Sequence, residues 1–132
     1  MHNMISTTNN PRIALVVDDS MLIRHTVCRF FEEHGFAVES ATNGLEALEV
    51  LRTVHPDIII TDVSMPKMDG PELIRTIKRN EQFKCTPIIV LAARRSAGDI
   101  LLQDVQPNHI IYKDIDIQEQ LERMLYSTFT AD

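Results

Sequence analysis

Four charged residues in this chain each follow a short apolar run: Asp18 and Asp19 after IALVV, Asp62 after the isoleucines of DIIIT, and Lys113 after HIIY. If the runs are neighbouring strands, these residues meet at one end of a sheet as three carboxylates and one ammonium. Two carboxylates about 4 Å apart repel by roughly 4 kcal/mol at an effective dielectric near 20, which raises one pKa or draws in a cation. A hard divalent ion answers that repulsion. Mg²⁺ takes oxygen ligands, keeps several waters and is typically held by one or two carboxylates plus an incoming phosphate. The competing reading is that Asp18 or Asp19 merely caps a helix together with Ser20; three acids on two strand ends favour the metal.

The elements that must position these groups alternate along the chain. Strand-like runs IALVV (13–17), FAVES (36–40), DIIIT (57–61), PIIVL (87–91) and HIIY (109–112) are separated by segments of helical period. The first has Ile23, Val27 and Phe30 on one face and stops at His34 and Gly35; the second opens at Thr42, Asn43 and Gly44 and repeats Leu45, Leu48 and Leu51. Leu73, Ile74 and Ile77 mark a third, a fourth is expected over 97–105 despite Gly98, and Ile117, Leu121, Met124 and Leu125 mark the last. Short strands that are apolar on both faces belong in a parallel sheet covered on both sides. The expectation is an α/β fold, a (βα)5 doubly wound five-stranded parallel sheet, with its site at the carboxyl ends of the strands where the strand order reverses.

A length of 132 residues with 44% apolar content supports one core. The chain reads as a single domain over 12–128 behind a disordered N-terminal extension, 1–11. A net charge of −6, with no cluster of Lys and Arg among aromatics, argues against direct nucleic-acid binding by this domain. Cys28 and Cys85 form no CxxC and stand at no metal-type spacing to the histidines, so both read as reduced, structural thiols. No apolar run reaches the length of a membrane span and the N-terminus has no signal-type core, which leaves the cytoplasm as the expected location.

VVDDS at 16–20, DIIITDVSMPKMDG at 57–70, PIIVLAA at 87–93 and the lysine of YKD at 112–114 resemble the receiver domain of two-component response regulators, of the chemotaxis-regulator type; ATNGLEALEVL resembles its second helix. The likeness spans about residues 12–126. It implies a flavodoxin-like receiver fold in which Asp62 accepts a phosphoryl group from a histidine kinase or phosphotransfer protein. Asp18, Asp19, Asp62 and the backbone carbonyl of Ser64 would hold Mg²⁺, and Lys113 would pair with the phosphoryl oxygens. Such a domain catalyses only its own phosphotransfer and is not otherwise an enzyme. Its further partners would be a downstream protein or a fused output domain, with a homodimer as an additional candidate.

The sequence departs from the family at the switch positions. Ala92 stands where a Ser or Thr normally ends the fourth strand, and Ile110 where an aromatic residue lies three before the lysine. Tyr112 is aromatic but two residues late, and Asp114 replaces the proline that commonly follows the lysine, so a trans peptide is expected there. Arg94 and Arg95, just past the missing hydroxyl, read as solvated surface charges. These departures support an alternative, a degenerate receiver-like interaction module with phosphorylation-independent output. An aspartate-nucleophile phosphatase would need a second acid two residues after Asp62, where Ser64 stands. A nucleotide or flavin binder fails electrostatically at DDSM.

Overall fold

A computed structural model of the chain describes residues 10–93 and 105–129. The helix expected over 97–105, Arg94 and Arg95, and residues 1–9 of the N-terminal extension lie outside the described residues, Val105 excepted. The elements run β1 (Ile13–Val17), α1 (Met21–Glu33), β2 (Ala37–Ala41), α2 (Gly44–Val50), β3 (Ile58–Asp62), α3 (Gly70–Lys78), a short 3₁₀ turn (Glu81–Phe83), β4 (Ile88–Ala92), β5 (His109–Tyr112) and α4 (Ile117–Phe129).

All strand pairings are parallel and the order across the sheet is β2-β1-β3-β4-β5. The chain therefore winds outward in one direction from β1 to β2, then returns to place β3 on the other side of β1. That reversal opens a crevice between the carboxyl ends of β1 and β3.

Alternate residues of each central strand feed two separate cores. Leu15, Val17, Ile59, Ile88 and Val90 pack with Ala47 of α2, with Leu51 just after it, and with Leu73, Ile74 and Ile77 of α3. Ala14, Val16, Ile58, Ile60, Ile89, Leu91 and Ile111 pack with Val27, Phe30 and Phe31 of α1 and Leu121 and Met124 of α4. Burial on both faces explains why β1, β3 and β4 carry almost uninterrupted aliphatic residues. By contrast β2, at the sheet edge, exposes Glu39 and Ser40, polar residues that discourage pairing with another chain.

Local chemistry sets the helix ends. Ser20 caps α1, its Oγ accepting from Ile23 N–H at 3.3 Å. That helix stops where Gly35 takes φ +88°, a conformation open to glycine, letting Phe36 N–H return to the Phe31 carbonyl at 3.0 Å. Asn43 and Asp69 cap α2 and α3 through their side-chain oxygens, each 2.9 Å from a backbone N–H. Of the three leucines at helical spacing, Leu48 and Leu51 pack on the core together with Ala47, whereas Leu45 is 51% exposed. Every peptide bond among the described residues is trans, including the one after Lys113. No helix among them is long and apolar enough to cross a membrane.

Candidate functional site at the β1–β3 crevice

Burial of β1 carries Asp18 into the interior, where it has no exposed surface. Its backbone is held on two sides: Asp18 N–H donates to the Ala41 carbonyl at 3.1 Å, and the Arg24 guanidinium donates to the Asp18 carbonyl at 2.8 Å. One carboxylate oxygen, Oδ1, accepts the Ser20 N–H at 2.8 Å. Asp18 thus helps shape the turn into α1, as the capping alternative required, but with only one of its oxygens. The other, Oδ2, is buried without an aligned hydrogen-bond donor; the Lys113 ammonium lies 3.0 Å from it as an ion pair. Asp19, the next residue, is exposed.

Asp62 ends β3 and is 6% exposed. After it Val63 N–H donates to the Leu91 carbonyl at 3.1 Å, extending the register of β3 on β4 by one residue. The chain then folds back through Ser64–Asp69, with Lys67 in the left-handed region at φ +72° and Gly70 N–H closing on the Val63 carbonyl at 2.7 Å. A side chain at Gly70 would collide with the Asp62 carbonyl oxygen and lie 3.0 Å from Val63 Cα. Glycine is therefore a condition for bringing the start of α3 against the acid. Gly44 plays a similar part from outside: a Cβ there would stand 2.8 Å from the Met68 side chain, so α2 packs directly on the loop.

One carboxylate oxygen from each of Asp18, Asp19 and Asp62 lies within 4.8 Å of the others. Lys113, directly after β5, reaches across with its ammonium 3.0 Å from Asp62 Oδ1 as well as from Asp18 Oδ2. Burial, reinforced by the Asp18 charge, pushes the Asp62 carboxyl up to about 6, although Lys113 pulls in the opposite direction. For Lys113 burial favours the neutral amine, but its pairing with Asp18 and Asp62 outweighs this and the pKa is raised. The cluster has more negative charge than one ammonium offsets. Its donors are all oxygens, one of them buried and without an aligned donor, and Asp19 opens it to water. This set fits a hard divalent cation of the Mg²⁺ type.

The remaining positions from the sequence lie around this cluster. Ser64 is exposed in the loop just past Asp62. Ala92 ends β4, is 1% exposed, and packs in the same apolar cluster as Ile110 and Tyr112. Met65 and Met68 pack on that cluster from the loop. Sequence reasoning missed Arg24, whose grip on the Asp18 carbonyl closes the turn, and Gln120, whose amide holds the end of β5. Neither carries a local signal, because each reads as one more polar residue on the outer face of an amphipathic helix.

A crevice of this kind at the reversal of a doubly wound parallel sheet, lined by three acids and a lysine, defines a class. The response regulator receiver domain matches over residues 14–125, and the chain belongs to that family, whose setting is two-component signalling. It is 39% identical to the protein PilG of Pseudomonas aeruginosa over 85 residues, covering 64% of this chain and 63% of PilG. Against the response regulator MprA of Mycobacterium ulcerans it is 35% identical over 111 residues, 83% of this chain and 47% of MprA. The chain thus spans about half to two thirds of the length of these curated relatives. Among solved structures, the chemotaxis response regulator CheY4 of Vibrio cholerae superposes with a TM-score of 0.81 at 30% identity, covering 91% of this chain and all of that one. The receiver domain of the sensor histidine kinase PA1611 of Pseudomonas aeruginosa, solved with magnesium coordinated in its active-site cleft, gives 0.82 at 24% identity over 92% of this chain and 100% of that one, which speaks to the fold.

Proposed function

We propose that this domain is the phosphoacceptor of a two-component phosphorelay. Asp62 takes a phosphoryl group from the phosphohistidine of a histidine kinase or phosphotransfer protein in a Mg²⁺-dependent reaction, and the product alters how the domain meets a downstream protein or output domain. The observation that carries this reading is the seating of one nearly buried carboxylate, Asp62, within ion-pair distance of Lys113 and beside two further acids.

The chain's own groups suit the transfer. An Asp62 carboxylate oxygen attacks phosphorus, the P–O bond forms as the P–N bond breaks, and the electron pair leaves with the imidazole nitrogen. Lys113 sits where it can offset charge on the transferring oxygens without moving from the cleft. Asp18, Asp19, Asp62 and the Ser64 carbonyl would hold Mg²⁺, which when bound neutralises the acids and the incoming phosphoryl charge. Asp62 must be ionised to attack, and a carboxyl raised to about 6 is so at neutral pH.

Incubating the protein with Mg²⁺ and a small phosphodonor such as phosphoramidate should add one phosphoryl group by intact mass, and Asp62→Asn should abolish it. No adduct on the unsubstituted protein with any donor, and no beryllofluoride complex, would remove this reading in favour of a module acting without phosphate. That alternative has its own observation: Ala92 and Ile110 leave the β4–β5 side of the site without the hydroxyl and aromatic pair.

A further inference from the structure

Lys113 is asked to hold its ammonium between two carboxylates, yet the backbone that carries it leaves the sheet at an edge. β5 is the last strand in the order β2-β1-β3-β4-β5, so among the described residues its outer side has no neighbouring strand. The residue after the lysine, Asp114, is exposed and contributes no ring to fix the chain. Something else must stop the end of β5 from fraying, because a small shift of the Lys113 Cα is magnified along its flexible stem.

On the inner side, Lys113 N–H donates to the Ala92 carbonyl at 2.8 Å. On the outer side, the job of a strand is done by one side chain. Gln120 Oε1 accepts the Tyr112 N–H at 2.9 Å, and Gln120 Nε2 donates to the Tyr112 carbonyl at 2.8 Å. The same Nε2 donates to the Asp116 carbonyl at 3.1 Å, in the turn that leads into α4. A primary amide carries donor and acceptor side by side, as a backbone peptide does, so it can satisfy both edge groups of Tyr112 at once. Glutamate lacks the donor and leucine lacks both. The peptide that leads into Lys113 is thereby gripped from both flanks, and tied to the first turn of α4.

We infer that Gln120 is a positioning residue for Lys113: its amide completes the open edge of β5 at Tyr112 and so fixes where the lysine enters the acidic cleft. The inference rests on the phosphoacceptor reading for its consequence in catalysis, but its structural content does not. Gln120 touches neither carboxylates nor phosphoryl group. Its effect must therefore pass through the lysine, which separates it from a residue that only stabilises the fold.

The test is Gln120→Leu, which keeps the side-chain bulk and removes the amide, alone and combined with Lys113→Met. Mg²⁺ affinity, which depends on the acids, should stay within about twofold. The rate of phosphorylation by phosphoramidate at saturating Mg²⁺ should fall about tenfold, the scale expected for a misplaced charge-offsetting group. Adding Gln120→Leu to Lys113→Met should cost nothing further; an equal loss in both backgrounds, or no loss in either, overturns the inference. If the unsubstituted protein forms no adduct, the phosphoacceptor reading fails first, and a second readout then decides. An ammonium held between two carboxylates should give a slowly exchanging ¹H–¹⁵N signal at Lys113 Nζ in metal-free protein. Loss of that signal in Gln120→Leu with the backbone spectrum otherwise retained supports positioning, and its persistence overturns it.

Discussion

The two walls of the cleft are built from different materials. On the β1–β3 wall, Asp18 and Asp62 are buried side by side, Arg24 closes the turn after one, and Gly70 presses the chain against the other. On the β4–β5 wall, Ala92 is sealed into an apolar cluster with Ile110 and Tyr112, and among the described residues the polar contribution that reaches the acids is Lys113. The difference separates two tasks. Offsetting charge around an acid needs only the first wall and the lysine. Turning a modification into a switch needs groups that contact the two states differently, and an alanine methyl offers little of that. The acceptor chemistry and its readout are therefore carried by distinct parts of the structure and should respond to different substitutions.

The largest effect should come from the backbone of the acid wall. In Gly70→Ala the new methyl meets the Asp62 carbonyl oxygen and Val63 Cα, backbone atoms that no rotamer change can move aside. A loss on the order of 3 kcal/mol in urea unfolding, with the acceptor loop displaced, is expected. Gly44→Ala meets the Met68 side chain, at 2.8 Å, along with the Met68 carbonyl at 3.0 Å, and should cost less because part of the obstacle is flexible. Equal costs would mean that the loop yields as a unit and that the acid wall is not the rigid side.

The next effect is electrostatic. An Asp62 carboxyl raised from its ordinary value near 3.8 to about 6 binds its proton more tightly in the folded than in the unfolded state. Folding is therefore most favoured by this group below about pH 4, and that contribution is lost as pH rises through about 6, by at most about 3 kcal/mol. In the absence of divalent cations, Asp62→Asn should thus be more stable than the unsubstituted protein at neutral pH and nearly equal to it at about pH 4. Mg²⁺ should stabilise the unsubstituted protein and close most of that gap. The check is a pair of denaturant titrations at each pH; a gap independent of pH would mean that ionisation of Asp62 is not what sets it.

The same contrast explains what could be read from the sequence. The sheet was legible because β1, β3 and β4 are buried on both faces and so carry near-continuous aliphatic runs, and the turn residues Asn43 and Gly35 marked where helices begin or end. The acid cluster was legible for a related reason: charges at the ends of such runs have few places to go. The exposure of Leu45 was not legible, because helical period alone cannot say that Ala47 joins Leu48 and Leu51 on the packed face while Leu45 turns to solvent. The hold of Arg24 on Asp18, and of Gln120 on Tyr112, depends on side chains reaching backbone atoms six and eight positions away, and no periodicity encodes that reach.

The smallest effect bears most directly on the second wall. Ala92→Ser places a hydroxyl at a site that is 1% exposed and otherwise apolar. Without a phosphoryl group that hydroxyl has a desolvation cost, and stability should fall by about 1 kcal/mol. With beryllofluoride on Asp62 it gains an acceptor, and affinity should rise by about fivefold, the worth of one ordinary hydrogen bond. Mg²⁺ affinity alone should not change, because the acids are untouched. Amide shifts at Ile110 and Tyr112 should also grow on beryllofluoride addition relative to the unsubstituted protein, since the added hydroxyl would link the modified acid to β5 through β4. If the unsubstituted protein already shows shifts of that size at Ile110, coupling across the sheet does not need the hydroxyl, and Lys113, which touches both walls, is left as the group that carries it.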